Sequence, residues 1–146
     1  MPDYTPVALP GDIVTGTASA TITGRQLLEV SGSGTVAPTA TLQSQKIVGV
    51  AAQDAVSAGR VTYYGRGVIH ESVADGTVTA GDLVGSTNTA NREIKSIPAS
   101  AIDAGATYVQ ATVNAAINAG LQTDRAILGV ALITAADNTK VRWMQF

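Results

Sequence analysis

From Asp12 to Ile97 apolar residues come in short runs closed by Gly, Asn or Asp, and nothing in that stretch repeats at helical spacing. The runs Gln26 to Ser31, Lys46 to Ala52, Arg60 to Tyr64, Gly67 to Val73, Asp82 to Ser86 and Glu93 to Ile97 are rich in β-branched residues. They are spaced close to the roughly 8–12 residues usual in all-β sandwiches and barrels. The punctuation agrees: Asp75-Gly76, set between Val73 and Val78, predicts a two-residue hairpin, and Gly32-Ser33-Gly34 follows a run ending at Val30. One segment has a different period. Val109, Val113 and Ile117 fall at i, i+4 and i+8 among alanines, so Asp103 to Gly120 predicts a single short helix, started by Asp103 and ended by Gly120.

Two pieces of the chain recur at one offset. Val48-Gly49-Val50-Ala51 returns as Leu128-Gly129-Val130-Ala131, and Arg60-Val61 as Lys140-Val141, each displaced by 80 residues. A shared offset points to two similar strand–turn–strand units. In each, a glycine inside an apolar strand marks a bulge or a close backbone approach. The second unit runs to the last residue and makes Val141 to Phe146 a paired strand. At the other end Pro2, Pro6 and Pro10 surround Tyr4, Val7 and Leu9. Proline fixes its own φ and biases its predecessor toward extended geometry, so residues 1–11 read as a stiff extended arm. The division is then an arm over 1–11 and one β-rich domain over 12–146, with a helix-containing insertion at 98–125. The fold class is mainly β, a small sandwich or barrel-like domain.

Composition narrows the chemistry. A chain of 146 residues can bury a core without staples, and having no Cys it has no thiol chemistry, disulfide or Cys-ligated metal. Three Lys and six Arg are scattered singly in a chain of formal net charge -2, which offers no basic stripe for nucleic acid or an anionic membrane. No apolar run reaches the roughly 18–20 residues of a membrane helix, and the first residues lack the basic and apolar regions of a signal peptide.

The candidate sites each have a bland explanation beside the sharp one. Gly32-Ser33-Gly34-Thr35-Val36-Ala37 fits G-x-G-x-x-[GA], but a pyrophosphate site needs a helix directly after the glycines, and Pro38 with Thr and Ala follows; a hairpin loop fits better. His70 is the only imidazole. It could act as a base beside Glu71, yet neighbours on a strand point to opposite faces, so a strand histidine with a satisfied ring explains the same letters. Acidic residues are dispersed, and Asp137-Asn138 is too short a fragment for a calcium loop, so no metal or other cofactor is expected. Tyr63-Tyr64 with Arg66 could form a stacking platform for a base or sugar; the simpler reading is one core and one surface tyrosine. Trp143 and Phe146 read as core, or as part of a subunit contact.

Taken in order, Tyr4-Thr5-Pro6-Val7 to Leu9-Pro10-Gly11-Asp12, Thr23 to Pro38, the Val48 to Ala51 strand, Thr79-Ala80-Gly81-Asp82-Leu83-Val84, and Leu128 to Ala131 with Lys140-Val141-Arg142 resemble the capsid cement, or head decoration, proteins of tailed bacteriophages. Together these segments span most of the chain. The resemblance implies a non-enzymatic structural virion protein, made in the host cytoplasm, that sits on the outer surface of the mature phage head as a homotrimer. Its partner would be the major capsid protein, whose subunit contacts it would stabilise. Such a protein needs no cofactor and would present extended backbone for strand addition across subunits. On this reading Asp3, Tyr4, Thr5, Pro6, Val7 and Leu9 are the capsid-binding residues. The sequence departs from the family pattern at Ile97 to Arg125, which is longer than the family needs. Two rivals stand beside this reading: a module binding host glycans or another host surface through Tyr63, Tyr64 and Arg66, and an enzyme dependent on His70.

Overall fold

The computed structural model describes residues 11–88, 92–98 and 110–146. Ten strands and one helix run in the order β1 (Ile13–Ala18), β2 (Leu27–Gly32), β3 (Thr35–Pro38), β4 (Ile47–Ala51), β5 (Arg60–Tyr64), β6 (Ile69–Ala74), β7 (Leu83–Ser86), β8 (Glu93–Ser96), α1 (Gln110–Arg125), β9 (Gly129–Ala131) and β10 (Lys140–Gln145). The mainly β reading is correct, and the sheets close on themselves. Five strands form one barrel in the order β1-β3-β2-β4-β5, and five form a second in the order β10-β6-β8-β7-β9.

The two barrels are one topology used twice. In each, the first and third strands pair in parallel, Ala18 with Val36 and Ala74 with Ile94. In each, the first strand also pairs antiparallel with the last, Ile13 with Tyr64 and Ile69 with Met144. The register makes positions 56 apart equivalent in the first two strands and positions 80 apart in the last two, so the 80-residue echo in the sequence is half of a whole-unit duplication. Loop hydrogen bonds repeat with it. The amide of Ala51 donates to the Gln26 carbonyl and that of Ala131 to Asp82, both at 2.9 Å. The Thr23 amide donates to the Gln26 side chain at 2.7 Å, and the Thr79 amide to the Asp82 carboxylate at 2.9 Å. Gly24 is held by Asp54 as Ala80 is by Thr134, with distances of 2.7 and 3.1 Å.

The mid-strand glycines mark close backbone approach. A Cβ at Gly49 would lie 2.2 Å from the Tyr64 carbonyl oxygen, and one at Gly129 1.9 Å from that of Met144. Neither position accepts a side chain without parting its strand pair.

A five-stranded barrel is narrow, which gives the Ala- and Val-rich composition its physical reason. The first barrel is filled by Ala18, Leu28, Val36, Ala51, Val61 and Tyr63. The second holds Ala74, Val84, Ile94, Ala131, Val141 and Trp143. Leu27, Val50 and Tyr64 point out of the first barrel and join the cluster of the second. Strands β2 and β4 are therefore covered on both faces, so Leu27-Leu28 and Val50-Ala51 do not alternate as a half-buried strand would, whereas β5 alternates with Tyr64 half-buried.

Several local expectations need correcting. Gly32 to Gly34 is the turn of the β2–β3 hairpin, with Gly34 at φ 71°, as expected. Asp75-Gly76 is a turn, with Gly76 at φ 85°, but not of a two-residue hairpin: Val78 bridges to Ala135, and β6 pairs with β8 and β10. Helix α1 runs on past Gly120 to Arg125, because Gly120 is a buried residue inside the helix and not its stop; Arg125 sits in the last turn, where a cation suits the helix dipole. Ile117 is 45 % exposed and not on a buried face. Asp103 to Val109 lies outside the described residues. Strand β1 was not foreseen, although four of its six residues are β-branched. Closure also gives every named strand two neighbours, so the barrels lack the open edge that strand addition uses.

Candidate functional site

Asp3, Tyr4, Thr5, Pro6, Val7 and Leu9, the expected capsid-binding residues, lie outside the described residues. The chain enters the described part at Gly11, which packs so tightly on the side chain of Val68 that a Cβ there would overlap it. The amide of Asp12 then donates to the carbonyl of Arg66 at 3.0 Å, fixing the start of the first barrel to the link between the two.

His70 is fully buried inside the second barrel. Its Nε2 is 3.2 Å from the side-chain oxygen of Gln145, and its ring centroid is 5.0 Å from that of Trp143, whose indole N–H donates to Ser72 at 2.9 Å. Burial pulls its pKa down to about 4, against a small opposing effect of the Gln145 hydrogen bond. The ring is therefore neutral near pH 7 and closed to solvent, the satisfied-histidine reading rather than the base. Glu71 faces the other way, as strand alternation requires. Lys140 is 2.8 Å from its carboxylate, Arg25 3.7 Å and Arg142 3.9 Å, and the Lys140 hydrogen bond is the first cause of its lowered pKa. Arg25 also donates to the Glu71 carbonyl at 3.2 Å, tying the barrels together at a cost: its φ of 77° is left-handed, where the equivalent residue is Gly81.

A concavity of about 460 Å³ crosses the seam between the duplicated units. Its apolar wall pairs Ile47 and Val48 with Ile127 and Leu128, equivalent positions of the two repeats. Its charged rim is Asp12, Arg66 and Arg125. Tyr63 and Phe146 supply aromatic surface. Of the proposed platform, then, Tyr63 and Arg66 reach one cavity, whereas Tyr64 packs into the seam cluster. Trp143 is core, as expected; Phe146, 54 % exposed, is not. Reading the sequence missed Asp12 and Arg125 here. The only available signal was the 80-residue offset, which carries Gln45 onto Arg125 and Arg66 onto Phe146.

No family model and no curated protein sequence matches the chain. Among solved structures, the chain resembles the N base of head fiber gp8.5 in bacteriophage phi29, with a TM-score of 0.52 and 13 % sequence identity, over 92 % of this chain and 93 % of that one. At that identity the likeness is one of fold, and it extends over both barrels.

Proposed function

We propose that this protein is a non-enzymatic structural component of a tailed-phage particle that binds the outer surface of the mature head and stabilises contacts between major capsid subunits. The observation that carries the reading is the shared fold with a phage head fiber base over nearly the whole of both chains. The capsid decoration resemblance in the sequence points the same way. Its buried, neutral histidine offers no tuned base for catalysis.

In this reading the arm over 1–11 is the gripping element and 12–146 the body it anchors, with 98–125 shaping the outward surface. The closed barrels direct attention to that arm, since they have no free edge to lend. Prolines reduce the entropy lost when an extended segment becomes ordered on a surface. Tyr4, Val7 and Leu9 would each contribute on the order of 1–3 kcal/mol when buried, against about 0–1 kcal/mol for an exposed ion pair of Asp3. A homotrimer suits a three-fold site, because one patch then meets three equivalent neighbours.

The experiment is occupancy on expanded capsids that lack the protein. Deleting residues 2 to 10, which keeps Gly11 against Val68, leaves the barrels' melting temperature in place and abolishes decoration. Full occupancy by the truncated protein would refute the grip. Absence of density for full-length protein on the head, or single copies off any symmetry axis, would refute the capsid role or the trimer respectively.

A further inference from the structure

The duplication provides an internal control for the cavity. At its seam end the second barrel is plugged: Val68, His70, Ser72, Trp143 and Gln145 are each 6 % exposed or less. The first barrel carries Asp12, Val14, Gly16, Tyr63 and Gly65 at the equivalent positions. The changes from Ser to Gly and Gln to Gly remove two side chains, and that from His to Val exchanges a polar ring for a smaller aliphatic group. Val14 is accordingly 41 % exposed where its counterpart is sealed, and Asp12, Val14, Tyr63 and Gly65 all line the open cavity. One barrel end is closed by its own residues and the other is left open.

The groups around that opening are uncommitted. Arg66 and Arg125 are exposed and have no carboxylate within ion-pair distance among the described residues, not even Asp12. The carboxylate of Asp12 likewise makes no side-chain hydrogen bond there. The three contrast with Arg25, Lys140 and Arg142, all gathered on Glu71. Two guanidinium groups over one concavity call for an anion with planar oxygens. A carboxylate acceptor beside them, with Tyr63 and Phe146 presenting aromatic surface, suits hydroxyls on a ring whose C–H face is apolar. The volume lies within the range of about 300–1,000 Å³ that holds small ligands. An extended peptide has less to bind, because the sheets around the cavity are closed and offer no backbone edge.

We infer that the open mouth of the first barrel is a binding site for a compact acidic saccharide, of one or two rings bearing a carboxylate, with Arg66 and Arg125 holding the carboxylate and Asp12 accepting from ring hydroxyls. The site is independent of the capsid reading and is measured on the isolated protein. In NMR titrations, methyl galacturonate shifts the amides of Gly65, Arg66 and Leu128, while neutral methyl galactoside binds at least about 5-fold more weakly. Arg66→Ala weakens the uronate roughly 10-fold, the effect of losing one charged hydrogen-bonding partner, and Arg66→Lys recovers part of it. Restoring the plug with Val14→His and Gly65→Gln removes binding. The Gly65 change is tight, since its Cβ would meet the Asp12 Cβ at 3.3 Å and needs that side chain to shift by a few tenths of an ångström. Should the plugged protein not fold, the two Arg66 variants decide alone. Equal binding of the neutral sugar would overturn the carboxylate assignment, equal binding of glutamate would overturn the saccharide, and no shifts at tens of millimolar uronate would overturn the site.

Discussion

Adding one methyl group at Gly129 tests how the duplicated unit is held together. The new Cβ would stand 1.9 Å from the Met144 carbonyl oxygen and 3.0 Å from the Trp143 ring. Both neighbours are fixed, the first by the sheet and the second by complete burial. Bringing the first contact to 3.0 Å moves β9 back from β10 by about 1 Å, which stretches ladder bonds of about 2.9 Å to about 3.9 Å, beyond hydrogen-bonding range. Three residue pairs join these strands: Trp143 with Ala131, Met144 with Val130 and Gln145 with Gly129. Losing two or three bonds at about 0.5–1.5 kcal/mol each, with looser packing on Trp143, costs roughly 2–4 kcal/mol. For a chain of this length that lowers the melting temperature by roughly 5–15 °C. Gly49→Ala, with its 2.2 Å contact, falls slightly less. Gly16→Ala is the control, because its Cβ would meet the Tyr63 ring edge at 3.4 Å and the Val36 methyls at 3.8 and 3.9 Å, all ordinary contacts. Thermal melting by circular dichroism measures all three. A Gly129→Ala protein melting within about 2 °C of the Gly16→Ala control would refute the close-approach argument.

Three further outcomes follow from single residues. Because His70 titrates near 4 when folded and near 6.5 when unfolded, the unfolded chain binds the extra proton between those values; stability is complete above about pH 6.5, falls by up to about 1.4 kcal/mol per unit toward pH 4, and His70→Asn flattens that slope in urea titrations. Ala58 sits at φ 63° where the equivalent residue is Asn138 at φ 58°, so Ala58→Asn stabilises by roughly 0.5–1 kcal/mol, read as a higher urea midpoint at an unchanged m-value. Trp143→Phe leaves a void and strips Ser72 of its donor, costing roughly 2–4 kcal/mol in the same assay, whereas Phe146→Ala changes stability by less than about 1 kcal/mol because that ring is already exposed.

The strands that sequence reading found are those whose runs are β-branched and closed by polar or glycine turns, and β5 coincides with its predicted limits. Those it missed have weaker local signals. Strand β1 carries threonines and a glycine that read as loop, and β3 has four residues ending in Pro38, which a strand tolerates only at its end. Gly120 looked like a helix stop because a glycine's local role is ambiguous: the same residue serves as a cap or as a thin spot where a helix is buried. The doubled apolar pairs such as Leu27-Leu28 gave no hint of a second buried face, since a second barrel that covers the first is a tertiary fact. Of the cavity, Tyr63 and Arg66 were legible as a possible platform, but Asp12 and Arg125 are far apart in sequence and meet only through the pairing of repeats. The expected arm read only as stiffness, and all of it before Gly11 lies outside the described residues.

Duplication separates what a barrel requires from what one copy has been free to change. The strand order, the parallel pair, the glycine beside the last strand and the loop hydrogen bonds persist in both units, so these are conditions of folding. Inside the barrels the polar side chains are grouped at one end: His70, Ser72 and Gln145 in one copy stand where the other has Val14, Gly16 and Gly65. If that end served only stability, the plugged form would be the better solution for both barrels, since an open mouth exposes apolar surface and forgoes packing. The first barrel instead leaves its mouth open and places beside it two arginines with no ion pair among the described residues, while Arg25, Lys140 and Arg142 are drawn to Glu71. The site is therefore to be sought in the asymmetry between the copies and not in the features they share.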